Sequence, residues 1–399
     1  MPSSSSPSIA VVGGGPGGLV LARILQQHDI ACTVYELDAT ADARSQGGLL
    51  DLHVEAGQLA LREAGLYEQF RRLTRPQAEA MRVMDKAGTV FIDQAAPDGS
   101  TDSGRPEVDR TELRALLLDS LHPGRVAWGH KLTRADRLSD GRYELTFAHG
   151  SRRTTDLLIG ADGAWSRVRP LVSSASPEYA GISYVELHVP DAPTTVPASA
   201  ALIGTGSLFA LSDNKNLGGH GGRDLHLGAM LRAPEDWLDT RDVDWSDPTA
   251  TRTALLAEFA DWAPALTDLI RHCDDAIVAR RIYALPTGHS WPHTPGVTLV
   301  GDAAHLMSPF AGEGANAAML DGCELALALI EHGDDVEAAL REYETVMFPR
   351  SADAARQSAR GLDLCFADDA PRGMVEFFDE MGVPVASTGA DSRSTTRSR

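Results

Sequence analysis

The stretch AVVGGGPGGL constrains this chain more than any other. Ile9 to Val12 read as an apolar strand, and Gly13, Gly15 and Gly18 stand at G-x-G-x-x-G spacing where that strand gives way to a helix predicted over Pro16 to His28. Those glycines permit a tight turn, close approach of the backbone to a pyrophosphate, and packing of the helix on the sheet. A glycine turn after a strand is common on its own. Here a second strand, CTVYEL, follows and is closed by Glu36, about 18 residues beyond the last glycine. An acidic side chain there can accept hydrogen bonds from an adenosine ribose and disfavours a 2'-phosphate, so the pattern points to FAD or NAD.

The rest of the composition suits a small-molecule protein. With 399 residues, 43% of them hydrophobic, the chain can bury a core large enough for two lobes. Its formal net charge of -20 and pI near 5.0 argue against nucleic acid or an anionic membrane as partner. Cys32, Cys273, Cys323 and Cys365 form no CxxC pair and nothing at the N-terminus resembles a secretory signal, so reduced thiols in a cytoplasm are expected. No apolar run approaches the roughly 18 residues needed to span a bilayer. The polar ends, residues 1–7 and 385–399, are expected to be disordered tails.

Between the tails, VDRTELRALLLDSL offers Asp109 or Thr111 as the cap of an amphipathic helix. From about Ser173 to Arg232, alternating segments such as ISYVELHV and DLHLGAMLRA indicate an antiparallel sheet. Helical periodicity returns in TRTALLAEFADWAPALTDLIRHC, a strand reappears in VTLVGD, and long helices fill most of Asn316 to Phe366. There is no internal repeat.

Two further stretches bear on the nucleotide. LLIGADGAWSRVRPLV carries Asp162 and Gly163 just after a strand, with Ser166 placed to cap a short basic helix. LVGDAAHLMSPFAGEGANAAM ends a strand on Gly301 and Asp302, spends Pro309, Gly312 and Gly314 on a loop, and then begins an alanine-rich helix. In a flavin enzyme Asp302 would bind the ribityl chain, and the loop would bring a helix N-terminus to the flavin ring, where its dipole favours negative charge on the reduced isoalloxazine. The plainer alternatives are a capped strand-turn-helix and a buried cap with helix-packing glycines. His289 and His293 have metal-like spacing, but Pro292 between them opposes a regular helix and a zinc site. Ser166 lacks the G-x-S-x-G elbow of a hydrolase nucleophile.

These three motifs, in this order, resemble those of the group A flavoprotein monooxygenases, the aromatic and polyketide hydroxylases, over roughly residues 8 to 365. RSQGGLLDLH, DRTELRALLL and GDAAHLMSPFAGEGAN are most similar to the tetracycline-inactivating members. The resemblance implies an α/β fold: a Rossmann-like FAD-binding lobe of glutathione-reductase type over 8–172 and 275–330, a second α+β substrate lobe on an antiparallel sheet over 173–274, and C-terminal helices over 331–382. It implies that Arg44 lies near the flavin and the incoming nicotinamide, that Asp51 and Arg114 contact FAD, and that Asp302 holds its ribityl or phosphate part. His226 would face the substrate cavity or serve as an ordinary sheet histidine, and Phe310 would wall the pocket or pack behind the loop.

The activity implied is FAD-dependent, with NAD(P)H reducing the flavin and O2 forming a C4a-hydroperoxide that hydroxylates an electron-rich phenol or enol. The partners implied are an aromatic or polyketide substrate and O2, acting on a monomer. Glu186 and Ser207 stand where a tetracycline site would carry an amide and a guanidinium, which leaves the substrate open among fused-ring polyketides and simpler phenols. A reductase or oxidase of the same fold, and a non-catalytic binder of planar ligands, are the rival readings.

Overall fold

Ile9 to Val12 are buried throughout, as a strand covered on both faces must be. The computed structural model of the chain describes residues 7–43, 47–96, 104–380 and 382–385. Apart from Pro7 and Val385, the expected tails lie outside the described residues. The chain opens with β1 (Ile9–Val12), α1 (Pro16–Gln27), β2 (Cys32–Tyr35) and β3 (Leu49–Asp51). It continues through β4 (Met81–Met84), β5 (Val90–Gln94), β6 (Glu107–Asp109), α2 (Arg110–Asp119), β7 (Val126–Ala127) and β8 (Leu157–Gly160). Then come β9 (Glu178–Val189), β10 (Ser207–Ser212), β11 (Lys215–His220), β12 (Leu225–Arg232), α3 (Pro248–Glu258), α4 (Pro264–Arg271) and β13 (Val278–Ala284). β14 (Val297–Leu299), α5 (Asp302–His305), α6 (Glu313–His332) and α7 (Val336–Cys365) follow.

The chain divides into two compact units. The first takes the chain up to Thr74 with Gly104–Ala180 and Tyr283–Leu362, and the second takes Gly181–Ile282 with segments that begin at Arg75 and Asp363. In the first, a parallel sheet has the order β14-β8-β1-β2-β7, so its strands come from distant parts of the sequence. Helices α1 and α6 pack at backbone contact: a Cβ on Gly17 would lie 2.4 Å from the carbonyl oxygen of Ala318, and one on Gly322 would lie 2.2 Å from that of Gly17. Helix α2 starts at Arg110 because Asp109 accepts from the backbone N–H groups of Thr111 and Glu112, the cap expected from sequence.

The second unit is built on a seven-stranded sheet, β13-β9-β12-β11-β10-β4-β5. Along β9 the side chains alternate: Val185, Leu187 and Val189 join a core with Leu255, Phe259, Leu266 and Ile270, whereas Tyr184, Glu186 and His188 occupy the opposite face. The β9-β12-β11-β10 pairs and the β4-β5 pair are antiparallel, and β10 runs parallel to β4. Strands β4 and β5 thus belong to the second sheet, although the sequence reading left them within 8–172. The partner of β4, Ser207–Ser212, is more than a hundred residues away, and local spacing carries no trace of that pairing.

Candidate functional site

The three glycines of the first turn have different tasks. Gly13 has φ +110°, and a Cβ there would sit 2.1 Å from the carbonyl oxygen of Ala161; a Cβ on Gly18 would sit 2.4 Å from that of Gly13. These two let β1, β8 and α1 close on one another. Gly15 is the N-cap of α1, no side chain caps that helix, and a Cβ on it would meet nothing within 4 Å. Its backbone borders open space at the positive end of a helix whose first N–H groups have no intrahelical acceptor, which suits a diphosphate.

Glu36, almost fully buried, supports this turn. Its Oε2 accepts from the N–H of Gly14 at 2.6 Å and its Oε1 from that of Asp38 at 2.9 Å, and a carboxylate oxygen has lone-pair capacity for a further donor. Arg114 reaches the same turn from α2 and is 4% exposed. Its Nε donates to the carbonyl of Gly14 at 3.3 Å and its Nη1 to that of Ala41 at 2.9 Å. Its Nη2 is buried without a hydrogen-bond partner, 3.7 Å from the Asp38 carboxylate. A buried guanidinium nitrogen with an unused donor, beside a cradle that a Cβ would fill, fits a bound dinucleotide such as FAD.

The second and third motifs are joined by Arg169, which sequence reading missed. Its guanidinium is buried and donates to the carbonyls of Ala303 at 2.7 Å, Asp302 at 3.0 Å and Ala164 at 2.8 Å. Asp162 closes its own turn, accepting from the Ser166 hydroxyl at 2.5 Å and the Arg167 N–H at 2.7 Å, and burial pushes its carboxyl above the usual range. Ser166 in turn accepts from the N–H groups of Val168 and Arg169, but the expected short basic helix is only a 3-10 turn over Arg169–Leu171 whose N-cap is Val168. Asp302 opens the short α5, and burial pushes its carboxyl up as well.

The glycine loop leads into α6 through Gly312, a left-handed N-cap with no side-chain cap. Asn316, fully buried, staples this first turn to β3. Its Nδ2 donates to the carbonyls of Asp51 at 2.9 Å and Gly312 at 3.3 Å, and its Oδ1 accepts from His53 N–H at 2.9 Å and Gly57 N–H at 3.2 Å. Burial would raise the Asp51 carboxyl, but the hydrogen bond and charge of His53 and the charge of Arg105 hold it below its ordinary value. A Cβ on Gly314 would have Asp302 Oδ1 as its nearest neighbour, at 4.0 Å. Pro309 is exposed and Phe310 half-buried, with the Phe310 carbonyl 2.3 Å from where a Cβ on Gly361 would lie. Arg44 lies outside the described residues.

In the second unit, Glu186, Ser207 and His226 share one face of the sheet, since His226 is opposite both His188 and His220 and Ser207 is opposite His220. His226 is exposed and its ring stacks at 4.8 Å on that of His188. His289 is engaged by Ala304 O and Ser173 Oγ, and His293 by Glu337 and Glu344. Among the described residues no group of three His, Cys, Asp or Glu could hold a metal ion. Nor, among them, is any helix long and apolar enough to cross a membrane.

Comparison with known proteins points to the same cofactor. The family described as FAD binding domain matches residues 7–204 and 291–358. A monooxygenase of Penicillium thymicola, penA, is 33% identical over 92% of this chain and 98% of its own. The 3-amino-4-hydroxybenzoate 2-monooxygenase PtmB3 of Streptomyces platensis is 32% identical over 92% of this chain and 90% of its own. Among solved structures, Klebsiella pneumoniae HpxO complexed with FAD and uric acid superposes with a TM-score of 0.76 at 25% identity, covering 94% of this chain and 92% of that one. Tetracycline destructase Tet(55) shares the fold, with a TM-score of 0.73 at 18% identity over 96% of this chain and 97% of that one.

Proposed function

The chain belongs to the FAD-binding-domain family and is an FAD-dependent monooxygenase of the aromatic-hydroxylase type; from that premise we propose that it consumes NAD(P)H and O2 to hydroxylate an electron-rich phenol or enol. FAD, when bound, supplies the reductive activation of O2 and the delivery of one oxygen atom to carbon. The chain's own residues supply binding and electrostatics. Gly15 with the N-terminus of α1 holds the diphosphate in the turn that Gly13 and Gly18 allow to close, Glu36 accepts from the ribose, and Arg114 offers its unused Nη2. Asp162, Asp302 and Asp51 complete the cofactor site, and Arg44 serves the nicotinamide side. Pro309, Gly312 and Gly314 present the N-terminus of α6 to the ring. His226 and Phe310 contact substrate.

One observation carries this reading: the open, uncapped turn at Gly15, approached by Arg114, whose buried Nη2 makes no hydrogen bond. The substrate class is supported by the hydroxybenzoate and uric acid named for relatives, both ring systems with ionisable hydroxyl or enol groups. A tetracycline is one member of that class, and its support is likeness of fold. The protein acts as a monomer in the cytoplasm on this reading. The deciding experiment purifies the protein, verifies bound FAD, and screens phenols, fused-ring polyketides and tetracyclines for stimulated NAD(P)H oxidation under 18O2. A product carrying one 18O supports the proposal. Flavin reduction without oxygen in any product favours a reductase or oxidase, and absence of flavin leaves a planar-ligand binder.

A further inference from the structure

The face of the second sheet that carries His226 holds more chemistry than one histidine. Three imidazoles stand in register across adjacent strands, His188 on β9, His226 on β12 and His220 on β11, and Ser207 on β10 continues the row. The Ser207 hydroxyl lies 3.3 Å from His220 Nδ1. At the other end, His188 Nδ1 is 2.6 Å from Asp274 Oδ2. Asp274 is itself fixed: its N–H donates to the carbonyl of His188 at 2.8 Å, and its Oδ1 accepts from Ala276 N–H at 2.9 Å.

That arrangement determines the tautomer of His188. A carboxylate only accepts, so Nδ1 must donate to Asp274, and in the neutral ring the lone pair is then on Nε2. An imidazole so oriented is a proton acceptor backed by a fixed negative charge. Four residues back along the same face of β9, the Tyr184 ring lies against bare backbone: a Cβ on Gly228 would be 2.4 Å from Tyr184 Cε2. Of the charged groups around this pair, Glu186 on the same strand is paired with Arg280 of β13, whose guanidinium also lies 5.3 Å from the Tyr184 ring centroid, and Arg252 donates to the carbonyl of Asp274 at 2.9 Å and is paired with Asp275. An aromatic ring and an oriented proton acceptor on one face of a sheet suit a planar ligand bearing an acidic hydroxyl.

We propose that His188, oriented by Asp274, accepts the proton of the phenolic or enolic hydroxyl of a planar ligand bound on this face. The inference rests on the monooxygenase reading for its substrate class. The ligand O–H bond breaks, an N–H bond forms at Nε2, and the electron pair stays on oxygen. The resulting imidazolium is held between the ligand oxyanion and Asp274. An ionised hydroxyl makes its ring a better nucleophile, which is the requirement for accepting electrophilic oxygen.

Alizarin, a planar fused-ring phenol whose colour changes on ionisation, is the probe. It would be titrated against FAD-loaded wild type, His188→Gln and Asp274→Asn across pH, using difference spectra. Wild-type protein should bind alizarin and lower its apparent pKa by about one unit or more, through the nearby positive charge formed on the ring. His188→Gln should abolish that shift, and Asp274→Asn should reduce it while retaining flavin. Equal ionisation on wild type and His188→Gln, or no binding of alizarin, overturns the proposal. The readout is independent of oxygen transfer: an ionisation shift without 18O incorporation into any substrate would sink the monooxygenase reading instead.

Discussion

His305 Nε2 lies 2.6 Å from Asp321 Oδ2, and the same oxygen accepts from the backbone N–H of Gly301 at 2.7 Å. Asp321 therefore fixes both ends of α5, the turn that presents Asp302. Its other oxygen accepts from Arg350 Nη2 at 2.9 Å, and Asp321 has no exposed surface. Burial alone would lower the His305 pKa, but the charge and hydrogen bond of Asp321 leave it above its ordinary 6.5. Burial would raise Asp321, yet His305 and Arg350 hold it below its ordinary 3.8.

The pair should therefore leave a pH signature. The contribution of His305 is full below 6.5 and fades as pH rises through its raised folded value; that of Asp321 is full above 3.8 and fades as pH falls through its lowered one. Thermal midpoints of wild type and His305→Gln should differ by a constant gap between pH 3.8 and 6.5 and converge only above the raised folded value of His305. A gap of unchanged size in alkali would mean that packing, not charge, is what His305 contributes. Removing Asp321 as Asp321→Ala should be harsher, about 3 to 5 kcal/mol, because it strands buried positive charge.

Gly13 and Gly15 should separate folding from cofactor binding. In Gly15→Val the new side chain enters open space, so the thermal midpoint of the flavin-free protein should stay near wild type while flavin content falls sharply. Gly13→Ala combines φ +110° with a 2.1 Å approach to Ala161 O, and should cost at least the roughly 1 to 3 kcal/mol of backbone strain. Absorbance at the flavin band and differential scanning fluorimetry read the two effects. Normal flavin loading in Gly15→Val would show that no phosphate lies at this turn.

The cofactor half of the molecule was legible because its signals are local. Glycine spacing, Glu36 at the end of a strand and Asp109 before a helix each act within a few residues, and the structure places them in turns, strand ends and caps of the kinds read from spacing. What the sequence concealed is set by pairing at long range. His226 was visible as an isolated strand histidine, but the row with His188 and His220 exists only through the register of β9, β12 and β11. Asn316 and Asp321 carry no motif spacing that singles them out in an alanine-rich helix. The signal available was that both interrupt an otherwise apolar helix close behind a strand end that needs backbone partners.

Asp302 was expected to hold the ribityl or phosphate part of FAD. Its position beside the glycine loop, with its backbone held by Arg169, leaves the carboxyl group as the variable part of the contact. Asp302→Ala should weaken FAD binding by the roughly 1.5 to 3 kcal/mol of a hydrogen bond to a charged group, about 10- to 100-fold in dissociation constant. Fluorescence titration of the flavin-free protein measures this. Unchanged affinity would remove Asp302 from the site.

Gly314 tests the electrostatic role assigned to α6. The helix begins at Glu313 without a side-chain cap, so its N-terminal N–H groups are available to a negatively charged partner. Such a helix end contributes about 0.3 to 1 kcal/mol at exposed sites and up to about 2 when partly buried. The nearest atom to a Cβ on Gly314 is 4.0 Å away, so Gly314→Val should meet little resistance from the protein and should press instead on whatever occupies the loop. If that occupant is the flavin ring, the reduced, anionic form loses more stabilisation than the oxidised one. The two-electron potential should then fall by tens of millivolts, about 30 mV corresponding to about 1.4 kcal/mol. Spectroelectrochemical titration of the folded, flavin-loaded variant gives the answer. A potential equal to or above wild type would mean that Pro309, Gly312 and Gly314 serve packing, and that the negative charge of the reduced ring is stabilised by some other group.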